Sequence, residues 1–311
     1  MRYQNTCFFN KIFLSAVMVV FLLLTQLLAN GCSRSVSSTS APQRKTVIAA
    51  SFYPMYIMTK NIASDIPGVE VVNLTRHTTG CLHDYLLTPD DLKLLSSVSY
   101  LVVNGAGMEG FLDKITAQQP DIKIIEATRG IKLLRDENGE DNPHVWVSVS
   151  LAMQQVKNIT EQLTTLDPGH ADAYKKNAAG YLMKLQVLQE RMQKGLEGIP
   201  QKDLITLHKA FSYFAQQFKF RVVAVIEREP GSEPSAEEMA RTIAVIKNSH
   251  VQAIFSEPQY PDRAAQAIAR ETGARVYLLD PAVTGADDPD AYITIMERNL
   301  KTLQEALVSK L

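Results

Sequence analysis

From Thr46 onward, the chain alternates short, continuous apolar runs with longer segments whose apolar residues recur every three or four positions. Continuous apolar runs are typical of parallel strands buried on both faces, and the wider spacing is typical of helices with one buried side. Strands that alternate with helices predict βα units. The runs are TVIAASF, VEVVNL, YLVVNG and IKIIEA in the first half, and LITL, RVVAVI, VQAIFS and ARVYLL in the second.

Capping residues and apolar stripes predict where helices begin and how long they are. Thr88, followed by a proline and two acidic residues, is a helix start, and Ser235 with Glu238 forms a capping box. A helix is also predicted near MEGFLDKITAQQ, and another from about Val149 to Leu166. Between Pro168 and about Leu196, the apolar residues keep to one stripe. A helix of this length spans about 40 Å, so it would pack on one sheet or run between two lobes.

The predicted fold class is therefore α/β, with two βα lobes that contain parallel sheets. We predict a first lobe at 46–167, a linking helix at 168–197 and a second lobe at 198–311. A signal peptide at 1–31 and a flexible, Ser-rich tether at 32–45 would precede them. The 311 residues are enough for two domains of about 100–150 residues each.

The N-terminal segment has the features of a bacterial targeting signal. Arg2 and Lys11 precede or border a continuous apolar run, Ile12 to Leu28, and Cys32 directly follows the small residues of ANGC. This arrangement resembles a lipobox and predicts a lipid on Cys32, although Ala29 stands where the usual motif has leucine. A single membrane-spanning anchor is the alternative. Both interpretations place the rest of the chain outside the cytoplasm.

Net charge and cysteine content limit which partners and which cross-links the chain can have. The formal net charge of -1 gives no indication of a nucleic-acid partner. Of the three cysteines, Cys7 lies in the signal and Cys32 would carry lipid, so Cys81 has no partner for an internal disulfide. Its thiol lies two residues before His83. It could be a metal ligand, but a small buried filler is the commoner role.

Three of the six histidines and one aspartate follow predicted strands, directly or in the next loop. His83 follows VEVVNL, His144 follows IKIIEA, His208 follows LITL and Asp280 follows ARVYLL. Functional groups collect at the carboxyl ends of parallel strands. More than 60 residues separate each candidate from the next, which excludes a local motif such as a zinc finger. Three imidazoles and one carboxylate suit a first-row metal, with tetrahedral zinc the natural fit.

Each candidate also has an ordinary structural explanation. A histidine in a polar loop is usually solvated, His208 could cap a helix, and Asp280 precedes a proline, which is common turn chemistry. The other histidines are predicted to lie outside the site. We expect His77 on the surface, and His170 and His250 exposed at helix ends.

The chain from about Thr46 to Leu311 resembles the zinc and manganese substrate-binding proteins of bacterial ABC transporters, the cluster A-I metal-binding receptors. The motifs that carry the resemblance are HDYLLTPDDL, NPHVWVS, LDP before a long helix, HKAFSYFAQQF, EPGSEPSAEE, FSEPQYP and LLDP. The resemblance implies two lobes joined by one rigid helix, with a metal in the interlobe cleft. It implies His83, His144 and His208 as ligands, Asp280 as the fourth ligand, and delivery of the metal to a membrane permease. We expect a monomer without enzymatic activity.

The ligand types favour Zn²⁺ as the transported ion. Manganese prefers oxygen ligands, whereas imidazole suits zinc. Manganese receptors of the family tend to carry a second carboxylate where His208 stands. Many zinc members have a long His-rich loop before the second ligand, and the corresponding LLRDENGEDN is short and lacks histidine. A manganese or iron receptor of the same family is the alternative.

Other functional classes are weaker alternatives. An extracellular zinc hydrolase would need an open coordination position and a base, for which Glu229 or Glu257 could serve. Four protein ligands would leave no open position, and the sequence has no HExxH pair. A structural adhesin is a second alternative, and a receptor for an organic ligand or chelated iron is a third.

Overall fold

The computed structural model describes residues 45–75, 80–83, 85–135, 139–226, 233–249 and 251–308. The predicted signal peptide, most of the tether, Cys32, His77, Glu229 and His250 lie outside these residues. Within the part described, no helix is long and apolar enough to span a membrane.

Two four-stranded sheets form the framework, and every pair of neighbouring strands is parallel. The order is β2–β1–β3–β4 in the first sheet and β6–β5–β7–β8 in the second, so both sheets have the same topology. The two predicted α/β lobes are thus confirmed. The strands are β1 (Thr46–Ala50), β2 (Val69–Asn73), β3 (Tyr100–Val103), β4 (Lys123–Glu126), β5 (Asp203–Thr206), β6 (Arg221–Val225), β7 (Ala253–Ser256) and β8 (Arg275–Leu278).

Helices connect the strands and cover the sheets. They are α1 (Tyr53–Ile62), α2 (Pro89–Leu95), α3 (Leu112–Gln118), α4 (Val149–Leu166), α5 (Ala171–Glu197), α6 (Ser212–Phe218), α7 (Ala236–Ser249), α8 (Arg263–Thr272) and α9 (Ala291–Val308). Short 3₁₀ turns lie at Val145–Val147, Pro168–His170 and Lys209–Phe211.

Both predicted helix starts carry a capping box. The Thr88 hydroxyl accepts from the backbone N–H of Asp91 at 3.3 Å, and the Asp91 carboxylate accepts from the backbone N–H of Thr88 at 2.7 Å. Ser235 and Glu238 make the same reciprocal pair at the start of α7. These caps satisfy N–H groups that a helix start leaves without a partner.

Some element boundaries differ from the sequence prediction. The helix predicted over MEGFLDKITAQQ begins only at α3, because the buried Glu109 carboxylate accepts from the backbone N–H groups of Asn104 and Gly105 and holds this segment as a loop. The long helix begins after the 3₁₀ turn rather than at Pro168. His170 is not exposed as predicted, since it is partly buried against the Asp167 carboxylate.

The two halves share the larger of the two hydrophobic clusters in the described part of the chain. α5 packs against α1 and α4 of the first half and against α9, which follows the second sheet. Trp146 is fully buried in the hydrophobic cluster that contains residues of both halves. Its indole N–H donates to the Pro281 carbonyl at 2.8 Å, and its own carbonyl accepts from the Tyr292 hydroxyl at 2.8 Å. These buried hydrogen bonds hold the loop before α4 in a defined position against the second half.

Candidate metal centre

Three imidazoles from distant parts of the chain meet at one point. The Nε2 atom of His144 lies 3.2 Å from Nε2 of His83 and 3.2 Å from Nε2 of His208. His144 and His208 are fully buried, and His83 is partly buried. Nitrogens that share a tetrahedral zinc ion at 2.0–2.1 Å are separated by about 3.3–3.4 Å. The spacing of these atoms therefore matches the edges of a metal coordination polyhedron.

Each imidazole stands beyond the carboxyl end of a parallel strand. His83 lies in the loop between β2 and α2, and His144 directly precedes the 3₁₀ turn that leads into α4. His208 follows β5 and precedes the 3₁₀ turn before α6. Its side chain makes no capping hydrogen bond, so the alternative of a helix cap is not realised.

An amide side chain fixes the orientation of His144. The Nδ1 atom of His144 lies 2.9 Å from the Asn142 side-chain oxygen, which also accepts from the backbone N–H of His144 at 3.0 Å. The Asn142 amide in turn donates to the Lys209 carbonyl at 3.1 Å. Because an amide oxygen only accepts, His144 carries its proton on Nδ1 and presents the lone pair of Nε2 to the other histidines.

A carboxylate side chain fixes the orientation of His208. Glu257 comes directly after β7, and its Oε1 lies 2.5 Å from Nδ1 of His208, with both side chains buried. Burial raises the pKa of Glu257, and the contact with His208 works against that rise. Metal-binding histidines commonly donate their second N–H to a carboxylate, which fixes the tautomer and makes the ligand nitrogen more basic.

With both protons held on Nδ1, the Nε2 atoms of His144 and His208 face each other as two acceptors and cannot hydrogen-bond. Burial lowers the pKa of His144 well below its usual value, and the neighbouring His208 and His83 lower it further. The imidazole is thus neutral near pH 7. A cation between the nitrogens is the partner that satisfies both lone pairs, so the arrangement is suited to binding a metal.

Asp280 is buried beside this centre but is held by other groups. Its Oδ1 accepts from the Gln259 amide and from the backbone N–H of Ala282, each at 2.9 Å, and the Asn299 side chain pairs with its backbone. Burial raises the pKa of the carboxyl. Among the described residues, the group whose possible ligand atoms lie within 4.8 Å of one another does not include Asp280. The group consists of Cys81, His83, His144 and His208. The role of Asp280 as fourth ligand stays a prediction.

Sequence reasoning missed the residues that orient the imidazoles. It named Glu257 only as a base for a hydrolase, although its position at the end of β7 is the same signal that selected His208. Asn142 carried no signal in its spacing. A surface cavity of about 620 Å³ is lined by His83 together with Tyr85, Phe111 and Lys114 among others, so this histidine is the arm of the centre that faces solvent.

Comparison with known proteins identifies the family. The family model for ZnuA, described as "Zinc-uptake complex component A periplasmic", matches residues 48–306. The chain belongs to the ZnuA family. This confirms the resemblance that the sequence motifs predicted, namely to the metal-binding receptors of bacterial ABC transporters.

Members of the ZnuA family and its structural neighbours resemble the chain over most of its length. The high-affinity zinc uptake system protein ZnuA of Bacillus subtilis (strain 168) is 30% identical over 306 residues, which is 91% of this chain and 95% of that protein. A zinc-bound ZnuA deletion mutant has 30% identity and a TM-score of 0.75, with 86% of this chain and 99% of that chain covered. The substrate-binding protein FpvC from Pseudomonas aeruginosa, solved with Mn²⁺, has 31% identity and a TM-score of 0.77, with coverage of 85% and 99%.

Proposed function

We propose that this protein captures Zn²⁺ outside the cytoplasm and delivers it to a membrane permease of an ABC importer. The observation that carries the proposal is the position of His144, whose Nε2 lies 3.2 Å from Nε2 of both His83 and His208. The Nδ1 atoms of His144 and His208 are held by Asn142 and Glu257. Membership of the ZnuA family and the similarity to the Bacillus subtilis zinc uptake protein support the same function.

The proposed ligands are His83, His144 and His208, and a fourth protein ligand completes the coordination. The sequence assigns that fourth position to Asp280. A site with three imidazole nitrogens favours zinc over manganese, which prefers oxygen. A manganese receptor is the second candidate, because FpvC, which was solved with Mn²⁺, is similar over most of the chain.

Exposure suggests how the metal enters. His144 and His208 are sealed from solvent, whereas His83 lines the surface cavity beside α2 and α3. Zinc would therefore reach the two buried nitrogens from the side of His83. In this order of events, His83 binds the ion last. All three imidazoles must be unprotonated to bind, so we expect acid to favour release of the metal.

The proposal includes an anchored receptor. Cleavage after residue 31 and a lipid on Cys32 would hold the protein at the outer face of the cell membrane, with 32–45 as a tether. The lobes would be 46–167 and 198–311, with 168–197 as the linking helix. We expect a monomer that delivers its cargo unchanged and has no enzymatic activity.

Elemental analysis of the protein purified without added metal, paired with competition titrations of zinc and manganese, tests the proposal. We expect bound zinc at one ion per chain and tighter binding of zinc than of manganese. Tighter binding of manganese would make the protein a manganese receptor. A chain that contains no metal and binds neither ion would overturn the proposal.

A further inference from the structure

Cys81 belongs to the same cluster as the three imidazoles. Its Sγ and the ligand nitrogens of His83, His144 and His208 all lie within 4.8 Å of one another. The residue is partly buried and is not in a disulfide. The two fully buried imidazoles point independently to a ligand here, because the Nε2 lone pairs of His144 and His208 face one another without a proton between them.

The backbone of Cys81 is hydrogen-bonded to the second half of the molecule. The N–H of Cys81 donates to the Tyr260 hydroxyl at 3.2 Å, and the ring of Tyr260 lies 6.3 Å from the ring of His208. Gly80 has φ +78°, and a Cβ at this position would lie 2.8 Å from the same hydroxyl. Only glycine accepts both the left-handed conformation and the close approach. This contact brings the residue after Gly80 to the edge of the histidine cluster.

The distances allow one ion to contact all four atoms. A tetrahedral zinc ion with Zn–N of 2.0–2.1 Å and Zn–S of 2.3 Å requires N–N separations of about 3.3 Å and N–S separations of about 3.6 Å. The pairs at 3.2 Å already match. The widest pair in the cluster must contract by at most about 1.5 Å, which side-chain rotation of the partly buried Cys81 and His83 can supply.

We propose that the Cys81 thiolate is the fourth ligand of the transported zinc ion, so that the site is Cys/His₃ and Asp280 lies outside the first coordination shell. On binding, the thiol proton is released to solvent and the sulfur–zinc bond takes its place. This inference rests on the proposed function, and it deepens it, because a soft thiolate ligand favours Zn²⁺ over the hard Mn²⁺.

The neighbouring tyrosine suits this role. The Tyr260 hydroxyl lies beside Cys81, since its oxygen accepts from the Cys81 backbone N–H at 3.2 Å. Its own hydrogen can be donated towards a sulfur anion of the same residue. A donor next to a metal-bound thiolate is the kind of outer contact that tunes metal sites.

Cobalt substitution tests the inference. Co²⁺ takes up zinc sites and shows a near-ultraviolet charge-transfer band only when a thiolate is bound, in addition to visible bands from tetrahedral ligation. The full chain should carry Cys7→Ser and Cys32→Ser, so that Cys81 is the one remaining cysteine. Parallel variants are Cys81→Ser and Asp280→Asn, each with its zinc affinity measured by competition with a chelating dye.

We expect the near-ultraviolet band in the parent chain and in Asp280→Asn, and its loss in Cys81→Ser while the visible bands persist. Zinc affinity should fall by more than about tenfold in Cys81→Ser, and by less in Asp280→Asn. Visible bands without the thiolate band, or a larger loss in Asp280→Asn than in Cys81→Ser, would overturn the inference and leave the proposed function intact. A parent chain that binds neither Co²⁺ nor Zn²⁺ would overturn both.

Discussion

The contact between His208 and Glu257 allows a direct test of how the protein would tune its proposed metal ligands. Oε1 of Glu257 lies 2.5 Å from Nδ1 of His208, and the two side chains are 0% and 1% exposed. Water therefore cannot replace the carboxylate if it is removed. Glu257→Gln keeps the shape and an acceptor oxygen but removes the negative charge that makes the Nε2 lone pair of His208 more basic.

The expected effect on affinity follows from the role of such outer partners. Changes to them typically weaken metal binding by about 10–100-fold, which corresponds to about 1.4–2.7 kcal/mol. The stability of the folded protein without metal should not fall in the same way. Burial raises the pKa of Glu257, so its charged form is costly in the interior, and a neutral amide removes that cost. We therefore expect weaker zinc binding with an unchanged or higher melting temperature of the metal-free protein.

Competition with a chelating dye measures the affinity, and thermal unfolding of the metal-free protein measures the stability. Glu271→Gln is the matched control, because it makes the same chemical change at an exposed position of α8. If Glu257→Gln bound zinc as tightly as the parent and the control, the carboxylate would not tune His208 and the argument from the Nδ1 contact would be refuted. A fall in both affinity and stability would indicate general damage instead.

Three further predictions concern the same centre. His208→Ala should weaken zinc binding strongly in a dye-competition titration, whereas His170→Ala, which removes a histidine outside the cluster, should leave it unchanged; equal affinities would remove His208 from the site. The pKa of His144 is lowered by burial, so the unfolded chain takes up a proton at higher pH than the folded chain does. The stabilisation is therefore present above about pH 6.5 and is lost as pH falls below it, which urea unfolding of the metal-free protein can measure; a free energy of unfolding that does not fall would contradict this. Gly80→Ala should lower stability by about 1–2 kcal/mol, because φ is +78° and the new Cβ would contact Tyr260. Zinc affinity should fall with it, and full affinity at reduced stability would show that the contact does not position the loop.

Much of the fold was predictable because its signals are local. The eight continuous apolar runs correspond to the eight described strands, since such runs are typical of parallel sheets. The central strands of each sheet are largely buried, and the edge strands are more exposed. Thr88 and Ser235 marked helix starts correctly, because a capping hydrogen bond depends on residues three positions apart. The helix predicted near MEGFLDKITAQQ begins only at Leu112, since the Glu109 carboxylate satisfies the backbone of Asn104 and Gly105 through contacts that no periodicity encodes.

The candidate site was predictable only in part. Its three histidines follow strands, so the rule that functional groups collect at carboxyl ends selected them. The family motifs made them stronger candidates as ligands. The place of Cys81 two residues before His83 made it a possible ligand, but no sequence signal placed its sulfur in the cluster or showed that Asn142 orients His144. Both depend on the directions of side chains rather than on their places in the chain.

The sequence by itself determined which segments become strands and helices, where two helices begin and which polar residues follow strands, because these properties depend on neighbours a few positions away. Only the tertiary structure decided that His83, His144 and His208, each more than 60 residues from the next, bring their side chains together, with Nε2 of His144 3.2 Å from Nε2 of each of the other two. That distance depends on a core that contains residues of both halves, Trp146 among them, and on α5, which packs against helices of both halves. Such packing is a property of the whole chain, since contacts such as that of Trp146 with Pro281 join residues distant in sequence.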